Sequence, residues 1–338
     1  MINIRTRSEY EGRFKLRIWD RNMQLKRETD WMPNLITNMG LDTLGMYTFL
    51  ISNPGFYRGD LVPQRCWIGS GNTPPANTDT TMTSVLAPTA GVPVFGTPTR
   101  FVQTVLPYYA SKTFTYRFDP TGSSRTIAEI GTFLRTSSSG SQPPGILPST
   151  DYMFNHALVV DGLGVPTTIV LLGDETLDVI YELRVYPLQA DTNYNVTITG
   201  SGLHACTMRA CHLSTTAQAN NVGNAIGGQN FASGGSGGND AYSGTVALGP
   251  ITGVPTGTVN NPGPSGTNEQ LLAYTPGTFQ RTIVTTWNLT AGSATFLAFT
   301  FLSGTGNVQV LFSPGIPKTN AKILSINNQL TWARRSPL

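Results

Sequence analysis

Charged residues are scarce in this chain. They make up 12% of its 338 residues, against about a quarter in an ordinary soluble domain. Exposed helices are usually solvated by Lys and Glu, so this scarcity argues against a mainly helical protein. Gly and Pro, at 36 and 23 residues, separate short runs of β-branched and aromatic residues. The composition therefore predicts an all-β protein.

Cysteines and long apolar stretches are also few. Three cysteines are an odd count that does not indicate a disulfide framework. The longest apolar run, residues 296–302, is far shorter than the roughly 20 residues that a membrane-spanning helix needs. Residues 1–20 contain no apolar region of the kind found in a secretory signal. We therefore expect no membrane insertion, and synthesis in a cytoplasm.

The net charge of +3 is small and unevenly placed. Residues 1–31 contain eight basic and five acidic side chains, which account for the whole excess. A basic segment can bind nucleic acid, but these charges alternate in sign and no aromatic stacking platform lies among them. We therefore expect no specific nucleic-acid binding and interpret the segment as a solvated or subunit-facing β-ribbon.

The first 52 residues predict a hairpin followed by a helix. Residues 13–20 alternate between basic and apolar side chains, which is typical of a half-buried strand. A turn at residues 21–22 and a returning strand over residues 25–31 complete the hairpin. Residues 34–45 change to helical spacing, with Asn38 as the predicted N-cap. The pattern predicts one short N-terminal helix in an otherwise β protein.

The rest of the chain reads as short strands bounded by Gly, Pro or Asp. They predict an antiparallel β-sandwich of two β-regions with long Gly/Thr/Asn-rich loops. We expect four regions. They are a charged hairpin arm with the helix (1–52), a β-sandwich domain (53–214), a Gly/Ser/Asn-rich extended segment held by neighbouring subunits (215–266) and a C-terminal β-region (267–338).

One cluster of metal-ligating residue types occurs, at His204, Cys206, Cys211 and His212. Zinc needs four ligands that converge on one point. In a strand, the first and last of these residues would lie about 27 Å apart at roughly 3.4 Å per residue. We expect no metal site and interpret these residues as packed, reduced side chains.

Candidate catalytic groups are equally weak. Asp174, Glu175 and Glu269 are carboxylates of the type that glycosidases use in pairs, but the first two lie in a turn-like sequence where solvation explains them. His156 is interpreted as a hydrogen-bonded residue at a strand edge. No nucleophile elbow or zinc-protease motif occurs. We expect no catalytic residues, no cofactor and no enzymatic activity.

The glycines at residues 69 and 71 invite comparison with a phosphate-binding loop. Such a loop is followed by a Lys-Ser/Thr pair and the start of a helix. Neither follows Gly71 in this sequence. A tight turn is the preferred interpretation.

Four stretches, taken together and in order, resemble structural proteins of tailed bacteriophages. They read WMPNLITNMGL at residues 31–41, IGSGNTPPANTD at 68–79, TIAEIG at 126–131 and LDVIYELR at 177–184. The resemblance covers about residues 14–186. It implies a role in the virion, without fixing the position in the particle, and it brings no catalytic residues.

The resemblance implies a neck, collar, tail or fibre-attachment protein that is made in the host bacterial cytoplasm and resides in the virion. Its expected partners are copies of itself, in a trimer or larger ring, and other virion proteins. The alternative is a receptor-binding tail-fibre module that contacts a bacterial surface glycan. A capsid decoration protein and a polysaccharide depolymerase are further alternatives.

The N-terminal arm is the predicted docking element of such a protein. We expect it to leave the β-body and bind a neighbouring particle protein, so that deletion of residues 1–31 would prevent incorporation but leave a folded core. The residues expected to dock are Arg13, Lys15, Arg17, Trp19, Trp31, Asn34 and Leu41.

Overall fold

The protein folds into β-sheets with one α-helix among the residues described. The computed structural model describes residues 2–50, 63, 65–88, 100–135, 151–213, 239–260, 267–301 and 306–335. Several antiparallel sheets and helix α1 (Asn38–Leu50) confirm the all-β prediction with a short N-terminal helix. No helix in these ranges is long and apolar enough to cross a bilayer.

The described residues contain twenty-two strands, numbered in chain order. They are β1 (Ile2–Trp19), β2 (Leu25–Glu28), β3 (Met32–Pro33), β4 (Leu35–Ile36), β5 (Arg65–Gly69), β6 (Val85–Pro88), β7 (Arg100–Val102), β8 (Tyr109–Phe118), β9 (Arg125–Ile127), β10 (Glu129–Arg135), β11 (Asp151–Leu158), β12 (Ile169–Leu171), β13 (Thr176–Tyr186), β14 (Thr192–Ile198), β15 (Gly202–Ala210), β16 (Ala241–Ser243), β17 (Thr258–Asn260), β18 (Thr267–Leu271), β19 (Gln280–Trp287), β20 (Ala294–Phe301), β21 (Val308–Lys318) and β22 (Leu324–Arg334).

Three larger sheets and one two-stranded pair organise these strands. The central sheet has nine strands, in the order β18-β19-β22-β1-β13-β8-β7, with β2 and β3 also paired to β1. The five-stranded sheet has the order β4-β11-β10-β5-β6, and the six-stranded sheet the order β14-β15-β21-β20-β16-β17. Strands β9 and β12 pair with each other.

Strand β1 contributes to both hydrophobic cores, as does its neighbour β22. Its 18 residues alternate between buried and more exposed positions along their whole length, so that one face is turned inward. Near its start this face contributes Ile2 and Ile4 to the core beneath the six-stranded sheet, the second core. Further along it contributes Phe14 and Leu16, among others, to the core beneath the five-stranded sheet, the first core.

The position of β1 corrects the expected N-terminal arm. Residues 2–10 pair in parallel with β22, and residues 9–19 pair antiparallel with β13. The hairpin itself is confirmed, because β2 pairs with the end of β1 after a turn at residues 21–22. However, β1 is an interior strand, so deletion of residues 1–31 would remove the middle of the central sheet. The expectation that a folded core would survive this deletion is wrong.

Helix α1 packs beside β11 and is capped one residue earlier than expected. The Thr37 hydroxyl accepts the Gly40 N–H at 2.9 Å and donates to the Met153 carbonyl at 2.6 Å. Asn38 therefore does not act as the N-cap; its side-chain oxygen accepts from Arg334 at 2.6 Å. Gly40 permits the close approach, because a Cβ there would lie 2.1 Å from the Phe154 carbonyl oxygen.

The four expected regions stay a prediction, but their strands are interleaved. Strands from 1–52, 53–214 and 267–338 all belong to the central sheet. Within the expected extended segment, residues 239–260 contain β16 and β17, which belong to the six-stranded sheet. The Ser/Gly run at residues 233–238 lies outside the described residues.

Candidate functional site

The first notable arrangement of polar groups surrounds Glu129, at the start of β10. Its side chain is fully buried. The carboxylate accepts backbone N–H groups from Ser84 at 2.7 Å and from Gly71 and Thr83 at 3.1 Å. Several N–H groups converging on one anion form a cradle. This cradle is occupied by a carboxylate of the same chain.

Gly69, the last residue of β5, and Gly71 leave room for this carboxylate. A Cβ at Gly69 would lie 2.6 Å from the Glu129 Oε1 atom, and a Cβ at Gly71 would lie 2.4 Å from it. The segment after Gly69 runs on without regular structure instead of forming the expected tight turn. The spacing of the glycines is therefore explained by the approach of Glu129, and not by a turn or a phosphate.

His156 on β11 extends the network to a second carboxylate. Its Nε2 lies 3.0 Å from Glu129 Oε2, and its Nδ1 lies 2.7 Å from Asp79 Oδ2. The same Asp79 oxygen accepts the Ala76 N–H at 2.8 Å. The sequence predicted a hydrogen-bonded histidine, which is confirmed. The expected edge position is wrong, because β11 lies between β4 and β10.

This Asp79–His156–Glu129 network is suited to holding a loop, and not to proton transfer. A general base needs a ring nitrogen within hydrogen-bond reach of the substrate, and here both ring nitrogens face carboxylates. His156 is only 2% exposed. The three side chains tie the loop at residues 70–84 to the middle of the five-stranded sheet.

Two of the groups singled out as chemical candidates, Glu175 and His204, have ordinary structural roles. Glu175 binds Lys26 at 2.5 Å and accepts the Leu172 N–H at 2.8 Å. His204 contacts the Pro314 carbonyl at 2.6 Å and the Ser201 hydroxyl at 2.9 Å through its two nitrogens. The side chain of Glu269 lies outside the described residues.

The neighbouring cysteines are buried thiols. Cys206 and Cys211 form no disulfide, and burial raises the pKa of Cys206 to about 11. Within the described ranges no group of three or more His, Cys, Asp or Glu side chains is arranged to hold a metal ion.

The second notable arrangement is the outer face of the central sheet, which carries most of the expected docking residues. Arg13 binds Glu182 at 2.5 Å across to β13. Lys15 binds Glu28 at 2.7 Å, and Arg17 binds the other oxygen of Glu28. The alternating signs seen in the sequence thus correspond to cross-strand ion pairs. The positive charge of the segment is largely compensated within the chain.

The aromatic docking candidates belong to the same face. The Trp19 indole donates to Asp178 at 2.8 Å. The Arg13 guanidinium lies 4.1 Å from the centre of the Trp31 ring, and the Lys15 ammonium lies 5.5 Å from it, distances typical of cation–π contacts.

Asn34 and Leu41 differ from the other five docking candidates. Leu41 is 1% exposed, within the first core. The Asn34 side-chain oxygen would lie 2.3 Å from a Cβ at Gly12, so Asn34 packs against the inward face of β1. Neither side chain is placed to contact another protein, because both are enclosed by this chain.

The sequence indicated His156 but missed Glu129 and Asp79. These three residues are brought together from separate strands and loops, and only the paired glycines gave a local sign that the loop approaches another group closely.

Comparison with known proteins found no matching family model, no matching curated protein and no matching solved structure.

Replacing Glu129 by Gln should destabilise the protein by about 3 kcal/mol, because an amide NH₂ would replace one of the acceptor oxygens in a buried cradle of donors. Amides of residues 70–84 should exchange hydrogen faster. Urea unfolding and hydrogen-exchange mass spectrometry measure the two effects. Glu28→Gln is the control, since its exposed ion pairs contribute little. Unchanged stability and loop protection in Glu129→Gln would show that the network does not hold the loop.

The Glu182 ion pairs should make stability depend on pH. Burial raises the pKa of Glu182, but Arg184 and Arg13 outweigh it, so that the pKa lies below its usual value of 4.5. A lowered folded-state pKa stabilises the fold above about pH 4.5, and this contribution is lost as pH falls through the folded pKa. The stability difference between wild type and Glu182→Gln should therefore shrink in acid. A difference that stays constant between neutral pH and acid would contradict this assignment.

Proposed function

We propose that this chain is a structural building block of a tailed-phage virion, at the neck, collar, tail or fibre attachment. It assembles with copies of itself and with other virion proteins. The resemblance of four sequence stretches to such proteins motivates the proposal. The observation that supports it best is where these stretches lie in the fold.

The first three stretches meet around β10 and β11. From residues 31–41, Thr37 bonds to the Met153 carbonyl, and the Asn38 N–H donates to the Asn77 carbonyl at 2.7 Å. Asn77 belongs to the stretch at residues 68–79, whose Gly71 N–H binds Glu129 of the stretch at 126–131. Each stretch is thus hydrogen-bonded to the next.

The fourth stretch, residues 177–184, joins the same framework through Tyr181. The centre of its ring lies 5.0 Å from that of Phe14 and 6.5 Å from that of Phe154. All three side chains are buried in the first core. The stretches that carry the resemblance therefore build a shared interior, as expected of a scaffold whose function is to hold its shape.

The pairing of β1 with β22 suits a particle component. It joins strands more than 300 residues apart, since Ile2 lies opposite Ile326. Such long-range pairing holds distant parts of the described chain in one sheet, as suits a protein that must keep its shape outside the cell.

The outer face of the central sheet is the proposed docking surface. Arg13, Lys15, Arg17, Trp19 and Trp31 lie on it and are partly exposed. Their charges are already paired, so we expect the face to recognise a partner by shape and by exchange of ion pairs, and not by net charge.

Antibodies raised against the purified protein should label intact phage particles at one fixed position. Mass spectrometry of purified particles should detect the chain in a stoichiometric amount. Detection only in the soluble fraction of infected cells would contradict the proposal. Blocked adsorption together with glycan binding by the purified protein would favour the receptor-binding alternative.

The docking face is tested by measuring how much of the Arg17→Glu variant is incorporated into particles. Arg17 is partly exposed, with 41% of its side chain accessible, so that reversing its charge should leave the fold intact while placing like charges beside Glu28. Incorporation should fall relative to wild type and to the control Lys322→Glu, an exposed charge reversal before β22. Equal incorporation of the two variants would contradict docking through this face.

A further inference from the structure

The six-stranded sheet ends in an edge strand that lacks the usual protection. Among the described residues β14 pairs only with β15. Its seven residues contain no charge and no Pro, and the next five residues contain none either. Edge strands expose unpaired N–H and C=O groups, which proteins commonly shield with charges, Pro or a short strand length. None of these devices is present in β14.

The other end strands of the described sheets do carry such devices. Strands β4 and β17 have two and three residues. Strand β7 has three residues and begins with Arg100, β6 ends with Pro88, and β18 contains Glu269. Strand β1 also contacts β14, but residues 2–10 of β1 pair with β22. Among the strands that the structure describes, β14 is therefore the long edge left open to pairing.

The two faces of β14 define the strand that would fit next to it. Tyr194 and Val196 pack against the second core, and Ile198 is part of it. Asn193, Asn195 and Thr197, which alternate with them, are exposed. A strand that continues this sheet must place apolar side chains on the inner face and uncharged polar ones on the outer face.

We propose that the strand that fits this edge is β14 of a second copy of this chain, antiparallel and related by a two-fold axis at Asn195. In this register Tyr194 lies opposite Val196 of the second copy, and Asn193 lies opposite Thr197. Antiparallel partners point to the same face, so the inner faces meet as aromatic and β-branched pairs, which stabilise sheets. The two Asn195 amides meet on the outer face, where each supplies a donor and an acceptor.

The charges near β14 do not oppose this pairing. Asp191, which directly precedes β14, binds Arg209 at 2.6 Å. In the proposed register Asp191 lies opposite Thr199 of the second copy, so these two charges do not face like charges.

A two-fold contact is self-complementary and gives a dimer. A trimer or ring would need a different contact. The inference goes beyond the proposed function and is tested on the purified protein alone.

The test places a charge on the two-fold axis. Asn195 is exposed, so Asn195→Lys should fold normally, but two lysines would face each other in the dimer. We expect the dimer dissociation constant of Asn195→Lys to be about tenfold higher than that of wild type. The dissociation constant of Asn195→Asp should rise by the same factor. A mixture of the two variants should associate again, because Lys then faces Asp. Analytical ultracentrifugation measures the association, and urea unfolding verifies the fold of each variant.

Val259→Lys is the matched control. It adds the same charge to β17, the edge strand at the other end of the same sheet, where Val259 is 51% exposed. Association should be unchanged in this variant. A monomeric wild type, an Asn195→Lys dimer as tight as wild type, or no recovery in the mixture would each overturn the proposal. Loss of association in Val259→Lys as well as in Asn195→Lys would overturn it in favour of a head-to-tail contact between β14 and β17.

Discussion

The constraint on which this structure depends is the single inward face of β1. A strand presents alternate side chains to opposite faces, so shifting its register by one residue would turn the whole inward set to solvent. Here that set runs from Ile2 to Ile18 and serves two cores. The register of β1 therefore fixes the five-stranded and six-stranded sheets relative to the central sheet at once.

Buried polar residues lie on β1 and β22 between the segments that contribute to the two cores. Thr6 and Ser8 are buried on the inward face of β1, and Asn328 is buried on the adjoining β22. The Thr6 hydroxyl lies 3.4 Å from the Asn328 side-chain oxygen. Because a buried polar group is costly without a partner, this contact favours one relative position of the two strands. The parallel register of β1 and β22 is therefore specified by this polar contact as well as by apolar packing.

The two polar arrangements depend on the same framework. The Asp79–His156–Glu129 network holds a loop onto β10 and β11, which cover the first core. The ion pairs on the outer face exist because β1 and β13 place Arg13 opposite Glu182. Burying the Glu129 carboxylate is favourable only because the loop supplies several donors in fixed positions. Both arrangements stabilise a fixed shape, as the proposed virion role requires.

Much of the local structure could be predicted from the sequence, because it is encoded locally. The alternation at residues 13–20 predicted one face of β1, and the change of period at residues 34–45 predicted α1. The first half of β1 was missed because its buried positions include Thr6 and Ser8, which hide the alternation. Its place in the middle of the central sheet depends on β22, more than 300 residues away, and leaves no local pattern.

The Glu129 network was missed for the same reason. Gly69 and Gly71 indicated that some group approaches the loop closely, but nothing nearby in the sequence identified that group as Glu129. The N-cap was misplaced by one residue because Thr37 and Asn38 are both good capping residues. The contacts of Thr37 with β11 decide between them.

We expect β1 to join both cores into one cooperative unit, and native-state hydrogen exchange of the Leu16→Ala variant measures this coupling. Leu16 is fully buried in the first core, and its truncation should cost about 3 kcal/mol. The most protected amides of β10, over the first core, and of β21, over the second, should then lose the same opening free energy. A loss confined to β10, with β21 unchanged, would contradict it.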